Sequence, residues 1–295
     1  MYRRHLPPER IGQVARLVEA EGLDEMWVVE DCFWAGGMTS ATAALATTET
    51  LTVGLGIAPA VVRNPAIAAM EIAAIARMFP GRFLAGFGHG VKRWMRQIGA
   101  LPQSQLAALE ETFVVVRRLL SGERVSFAGS HIDISDVQLV FPPDHPPPLI
   151  CGAVGPKSLE MIGRVADGVV LPEGSSSAFV RAAIARMANP GATCVVYVLF
   201  AVTDDPLEAE AAVQPSIDLF TAGGVDTRLA DLGTVEAVSS AEQVQRYAVA
   251  GTPSQCAAAI RDLHSAGAQS VVLVPQLADQ EAQILRAARD VVPLL

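Results

Sequence analysis

The 295-residue chain sets 22 Lys and Arg against 31 Asp and Glu, a formal net charge of −9 at pH 7. That balance argues against a general nucleic-acid binder, because neutralising phosphates takes an excess of basic residues. Half of the residues (51%) are hydrophobic, enough for a large core, yet no apolar run approaches the roughly 20 residues that span a bilayer.

The opening segment MYRRHLPPER lacks the apolar centre of a signal peptide. Cys32, Cys151, Cys194 and Cys256 stand far apart with no C-x-x-C pair, which disfavours metal clusters and disulfide frameworks and fits a reducing compartment. The expectation is a soluble, cytoplasmic protein in which these thiols are either small buried hydrophobes or, for Cys32 and Cys151 near strand ends, reactive groups. The length exceeds a typical domain, but α/β barrels reach it as one unit, so residues 1–295 are expected to form a single domain.

In chain order, Tyr2–Leu6 reads as the rudiment of a strand. A helix over Pro8–Glu21 presents Ile11, Val14, Ala15 and Val18 on one face, with prolines at its start. Strand Met26–Val29 ends in Glu30, Asp31, Cys32, Phe33 and Trp34, and a helix over Ser40–Thr48 follows. The stretch Thr52–Gly90 then reads as strand Thr52–Ile57, helix Pro65–Met78, a Pro80-Gly81 stop and strand Phe83–Phe87, one right-handed βαβ unit. Helix Leu106–Leu120 precedes an alternating segment, Gly122–Leu139, that reads as an antiparallel hairpin. Its His131-x-Asp133 pair suggests either a metal or a solvated strand face.

Strand Leu149–Gly152, helix Ser158–Val165, strand Asp167–Leu171, a helix to Met187 and strand Thr193–Val202 continue the alternation. Residues 206–250 read as a loose helical excursion with Gly223-Gly224 at its middle. Helix Ala257–Ala266, strand Ser270–Val274 and helix Gln280–Val291 close the chain. Seven near-continuous apolar strands plus the rudiment imply a parallel sheet covered on both faces. No G-x-G-x-x-G follows the first strand, so a closed (β/α)8 TIM barrel is expected rather than an open dinucleotide-binding sheet. Its chemistry belongs at the carboxyl ends of the strands. Both lysines of the chain, Lys92 and Lys157, fall just after such ends, where an anion can be held.

The segments EGLDEMWVVED, TVGLGIAPAVVRNPA, FPGRFLAGFGHG and PPLICGAVGPKSLEMIGRVADGVVL, with YAVAGTPSQCAAAIRDLHSAGAQSVVLVP, resemble the bacterial luciferase-like monooxygenase superfamily. Within it they are similar to the coenzyme F420-dependent oxidoreductases, such as the methylenetetrahydromethanopterin reductases. The resemblance covers nearly the whole chain in order. It implies a barrel that binds a flavin or deazaflavin at its mouth and transfers hydride on one ring face. It also implies that Asp31 lies beside the ring and that a bulge at Ile57 and Ala58, often with a non-prolyl cis peptide, backs it. Gly88, His89 and Gly90 would line ring and tail, and Glu173 would border the tail. The segment Gly152, Ala153, Val154, Gly155, Pro156, Lys157 and Ser158 would hold the phosphate.

The residues support these roles physically. Gly152, Ala153 and Gly155 let a ligand approach the backbone, and the helix start near Ser158 offers free N–H groups and a positive dipole end. His89 is the candidate for proton transfer or ring polarisation, or else makes a loop hydrogen bond. Asp31 orients a ring group or caps a turn. Trp34 and Trp94 wall a substrate pocket or pack in the core. Lys92, Arg93 and Arg96 meet an acidic cofactor tail or form a solvated helix face. One departure is the short first strand: either the native start lies upstream or the barrel closes on a shortened strand. The leading expectation is an F420-dependent oxidoreductase acting on a small organic substrate, with a homodimer as the common family assembly. An FMN-dependent monooxygenase and a non-catalytic accessory barrel are the alternatives.

Overall fold

Parallel pairing of short apolar strands with alternating side chains organises the chain. The computed structural model describes residues 1–222 and 240–295. Its strands, in chain order, are β1 (Glu25–Val28), β2 (Thr52–Pro59), β3 (Phe83–Gly88), β4 (Val125–Ala128), β5 (Asp133–Val137), β6 (Leu149–Gly152), β7 (Gly168–Leu171), β8 (Thr193–Val202), β9 (Ala248–Gly251) and β10 (Ser270–Pro275). The main sheet runs β1-β2-β3-β6-β7-β8-β10, with β9 beside the end of β8, and every pairing in it is parallel. The helices needed below are α1 (Ile11–Ala20), α2 (Gly37–Ala46), α3 (Pro65–Met78), α4 (Lys92–Gln97), α5 (Gln105–Leu120), α6 (Pro156–Val165) and α7 (Ser177–Met187).

Because successive side chains on a strand point to opposite faces, a sheet that closes on itself separates two cores. One holds Trp27, Ile150, Val170, Val195, Tyr197, Val272 and Val274. The other packs alternate residues such as Met26, Val28, Cys151, Val169, Leu171, Val196 and Val198 under the helices. The first set is the inside of the barrel and the second the layer between strands and helices. Inside, Trp27 meets Tyr197 edge to face at 5.8 Å. The two rings fit because Gly54 and Gly56 face them: a Cβ on Gly54 would lie 2.3 Å from the indole, and one on Gly56 would lie 2.0 Å from the Tyr197 hydroxyl.

The residues expected as a first strand do not form one. Closure instead uses single bonds: Tyr2 N–H donates to the Trp27 carbonyl at 2.8 Å, the Met1 nitrogen to the Leu273 carbonyl at 2.7 Å, and the Arg3 guanidinium to the Pro275 carbonyl at 2.7 Å. At the other end of the barrel Ser270 donates its hydroxyl hydrogen to Glu25 at 2.8 Å, so β10 and β1 lie side by side.

Other differences from the sequence reading have local causes. The excursion over residues 206–250 holds helices Pro206–Ala222 and Ser240–Tyr247 and then β9. That strand is four residues long, too short to show periodicity. The Gly223-Gly224 pair lies outside the described residues. On α3, Ile67 and Met70 face outward while Ile72 and Ile75 are buried. The hairpin forms as expected from β4 and β5, antiparallel. It is tied to α5 by Glu111, which accepts from the N–H groups of Ser130, His131 and Ile132 at 2.8 to 2.9 Å.

Glu19, at the end of α1, holds the approach to β2 in the same way. It accepts from the N–H groups of Thr50, Leu51 and Glu49 at 2.6, 3.0 and 2.9 Å, and these bonds, led by Thr50, pull its pKa from 4.5 down to about 2. A carboxylate depressed in the folded state adds stability above its unfolded value, and that stability is lost as pH falls toward the folded value. Urea unfolding of Glu19→Gln should therefore show a smaller loss of stability between pH 4.5 and 2 than the parent chain. In the barrel interior, Gly54→Ala should cost about 1–3 kcal/mol through overpacking. Combining it with Trp27→Phe should cost less than the sum of the two single changes, measured by the same denaturation.

Candidate functional site

At the carboxyl end of the barrel, β3 pairs with β6 so that Gly88 lies opposite Gly152, and the loops that follow are neighbours. The register of β2 against β3 shifts between Leu55 and Ala58, the bulge expected at Ile57 and Ala58. The non-prolyl cis peptide lies at Gly56–Ile57, one bond before the expected position, and a second lies at Cys32–Phe33. The bulge turns the Ile57 side chain across the strand ends, while Ala58 is fully buried. A Cβ on Gly88 would sit 2.0 Å from Ile57 Cδ1, and one on Gly152 would sit 2.9 Å from its Cγ2. With the Ile57 side chain lying over both glycines, these positions form a floor at the strand ends. Gly90 turns the next loop at φ +69, in the left-handed region, with a Cβ position 2.9 Å from both Met95 and Pro59.

The phosphate-binding candidates gather beside this floor. Helix α6 starts at Pro156, two residues earlier than expected, so Lys157 and Ser158 lie in its first turn and Gly155 is the N-cap. Gly155 brings no side-chain cap and Pro156 no N–H, so the backbone N–H groups of Lys157 and Ser158 have no partner among the described residues. Open space surrounds Gly155, whose nearest neighbour to a Cβ would be Ser158 Oγ at 4.0 Å. Ala153 is buried, and Val154 lies half-buried beside it. Lys92, Arg93 and Arg96, on a short helix the sequence reading did not mark, join Lys157 in making no ion pair among the described residues.

His89 closes one side of this group. Its Nδ1 lies 3.2 Å from the Gln105 carbonyl and its Nε2 3.1 Å from Ser158 Oγ. Desolvation lowers its pKa, with the Gln105 carbonyl opposing and the Lys92 charge adding to the shift.

Asp31 and Glu173 belong to a different part of the mouth and do not bond to His89. Asp31 accepts from Arg4 at 2.8 Å, and Arg4 in turn lies over the Trp34 ring at 4.7 Å. Trp34 meets Trp94 edge to face at 5.9 Å, and Trp34 is 52% exposed rather than packed in a core. Glu173 follows β7, half-buried, and makes no side-chain ion pair among the described residues. Burial raises its pKa, with the Asp31 charge adding to the rise and Arg3 and Arg4 opposing it.

Sequence reasoning missed Arg4, which no periodic pattern marks, and the clamp behind Asp31. There Glu30 accepts from Arg63 Nη2 at 2.9 Å and from the Gly37 N–H at 2.7 Å, and Arg63 also contacts Glu71 at 2.9 Å. Cys32 adjoins Asp31, and burial raises its pKa, with the charges of Glu30 and Asp31 adding to the rise. Cys151, Cys194 and Cys256 are buried and their pKa values are raised, the latter two to about 12, so they stay protonated at neutral pH. Among the described residues no group of three His, Cys, Asp or Glu side chains is arranged to hold a metal.

Known proteins share this architecture. The family model described as luciferase-like monooxygenase matches residues 2–270. A 5,10-methylenetetrahydromethanopterin reductase of Methanolobus tindarius is 25% identical, covering 90% of this chain and 90% of its own. An F420-dependent glucose-6-phosphate dehydrogenase of Kineococcus radiotolerans is 25% identical over 98% of this chain and 93% of its own. The solved coenzyme F420-dependent tetrahydromethanopterin reductase of Methanopyrus kandleri superposes with a TM-score of 0.82 at 20% identity, covering 98% of this chain and 96% of that one.

The setting of Glu173 has a measurable consequence. A carboxyl whose folded pKa lies above its ordinary 4.5 costs stability once it must ionise, so the cost grows as pH rises from about 4.5 through the folded value. Glu173→Gln should accordingly be more stable than the parent chain at pH 7 to 8, with the difference closing below pH 4.5, as read by thermal unfolding across that range.

Proposed function

Because the chain belongs to the luciferase-like monooxygenase family, we propose that it is an oxidoreductase dependent on coenzyme F420 and acting on a small organic substrate. The observation that carries this reading is the open start of α6, where the N–H groups of Lys157 and Ser158 have no partner among the described residues, next to strand ends where Ile57 lies over Gly88 and Gly152. A flat ring fits against the Ile57 side chain, and an acidic tail fits the free N–H groups at the start of α6. The F420-dependent relatives support the choice of deazaflavin over flavin. The chemistry such a group supplies when bound is hydride transfer to or from the substrate.

In this reading the chain's own residues divide the work. Ile57 and Ala58 back the ring, and Gly88, Gly90 and Gly152 admit it. The free N–H groups of Lys157 and Ser158 receive the phosphate. His89, with both ring nitrogens engaged, acts through Ser158. Asp31 and Glu173 lie on the substrate side, where burial favours the protonated form of Glu173, and the Trp34–Trp94 wall excludes water from the substrate's apolar part. Residues 1–295 work as one barrel domain in the cytoplasm. The outward face of α3 with Ile67 and Met70 supports a second copy of the chain as partner. No helix of the described residues is long and apolar enough to cross a membrane.

Fluorescence titration of the purified protein with F420 and with FMN tests the assignment. Saturable binding of F420 is expected, weakened by up to about fivefold in Lys157→Ala, the value of one exposed charge. Binding of FMN without F420 would make the protein a flavin monooxygenase instead. If neither cofactor raises the melting temperature at saturating concentration, the accessory-barrel reading replaces both.

A further inference from the structure

The contacts of His89 constrain where its hydrogens are. Nδ1 faces a backbone carbonyl, that of Gln105 at 3.2 Å, which can only accept, so Nδ1 must carry a hydrogen. In the neutral ring Nε2 is then an acceptor, and its neighbour Ser158 Oγ at 3.1 Å must donate to it. The hydroxyl hydrogen of Ser158 is thereby turned toward His89 and away from the free N–H groups at the start of α6, leaving lone pairs to face an incoming anion. A second proton on the ring reverses this polarity. Nε2–H donates to Ser158 Oγ, and the hydroxyl hydrogen is released to point at the anion.

We propose that His89 is a positioning residue that makes oxyanion binding at the start of α6 proton-linked: binding a tetrahedral anion there draws one proton from solvent onto Nε2 and turns the Ser158 hydroxyl into a donor. The proposal rests on the reading that α6 receives the phosphate of the cofactor. The groups facing the imidazole are Gln105 from α5, Ser158 from α6 and the cation of Lys92 from α4; Lys157 adjoins Ser158 along the chain. No carboxylate bonds either ring nitrogen among the described residues. In the free protein burial and Lys92 favour the neutral ring, and an anion beside Ser158 opposes both. The residue thus sets a preference for anions presented below neutral pH, while the backbone N–H groups and the lysines bind at any pH.

Linkage makes the effect measurable: between the pKa of the free and of the bound protein, affinity should rise by up to about tenfold per pH unit of acidification, one proton being taken up per ligand. Sulfate serves as the probe because it does not titrate between pH 5 and 8. Imidazole nitrogen NMR, with the His89 signals assigned by their absence in His89→Gln, should show sulfate moving the His89 titration to higher pH. Calorimetry of F420 binding in two buffers of different ionisation enthalpy should show proton uptake that disappears in His89→Gln and in Ser158→Ala. A His89 titration unmoved by sulfate, or a pH slope of binding unchanged in His89→Gln, overturns the proposal. Failure of F420 to bind while sulfate still moves His89 would remove the cofactor reading and leave this coupling standing.

Discussion

One register, Gly88 opposite Gly152 across the parallel ladder of β3 and β6, decides the geometry of the mouth. It sets two glycines side by side beneath the isoleucine that the neighbouring bulge throws across them, and it brings the loop carrying His89 within hydrogen-bond reach of the first turn of α6. A slip of one residue would turn every side chain of the strand to its other face. The interior-facing and helix-facing cores would then exchange residues, so the slip is opposed by the burial of both. The floor is therefore held by the same packing that holds the barrel.

That packing also explains how the sheet closes without a full strand between β10 and β1. Trp27 and Tyr197 fill the interior on the level of Gly54 and Gly56, so closure is supported from within by aromatic bulk. The seam carries the hydrogen bonds of Met1, Tyr2 and Arg3 at one end and that of Ser270 to Glu25 at the other. The inward pull of a filled interior compensates for a thin wall.

Much of this was legible in the residues. Strands of apolar residues broken by Gly and Pro, alternating with helices, are enough to specify a parallel barrel, and the family resemblance of TVGLGIAP marked the bulge at Ile57 and Ala58. What escaped had no local signature. The strand at Ala248–Gly251 is defined by its pairing with β8 and not by its own pattern. The segment Tyr2–Leu6 has strand-like composition but spends its backbone groups singly. The start of α6 was displaced because Pro156, which reads as a breaker, is also the residue best suited to a first helical position. Arg4 could not be assigned in advance, since its significance lies in meeting Asp31 and Trp34, both distant in sequence. His89 was visible as a histidine between glycines, yet only its two partners disclose which nitrogen holds the hydrogen.

The clamp of Glu30 has an outcome of its own. Its carboxylate takes hydrogen bonds from the start of α2 and from Arg63, so the chain is pinned immediately before Asp31 and again at Gly37. The stretch between, with Phe33 and Trp34 facing outward, is a cassette with fixed ends. Swapping side chains inside that stretch would reshape the rim while the two anchoring points stay where Glu30 holds them.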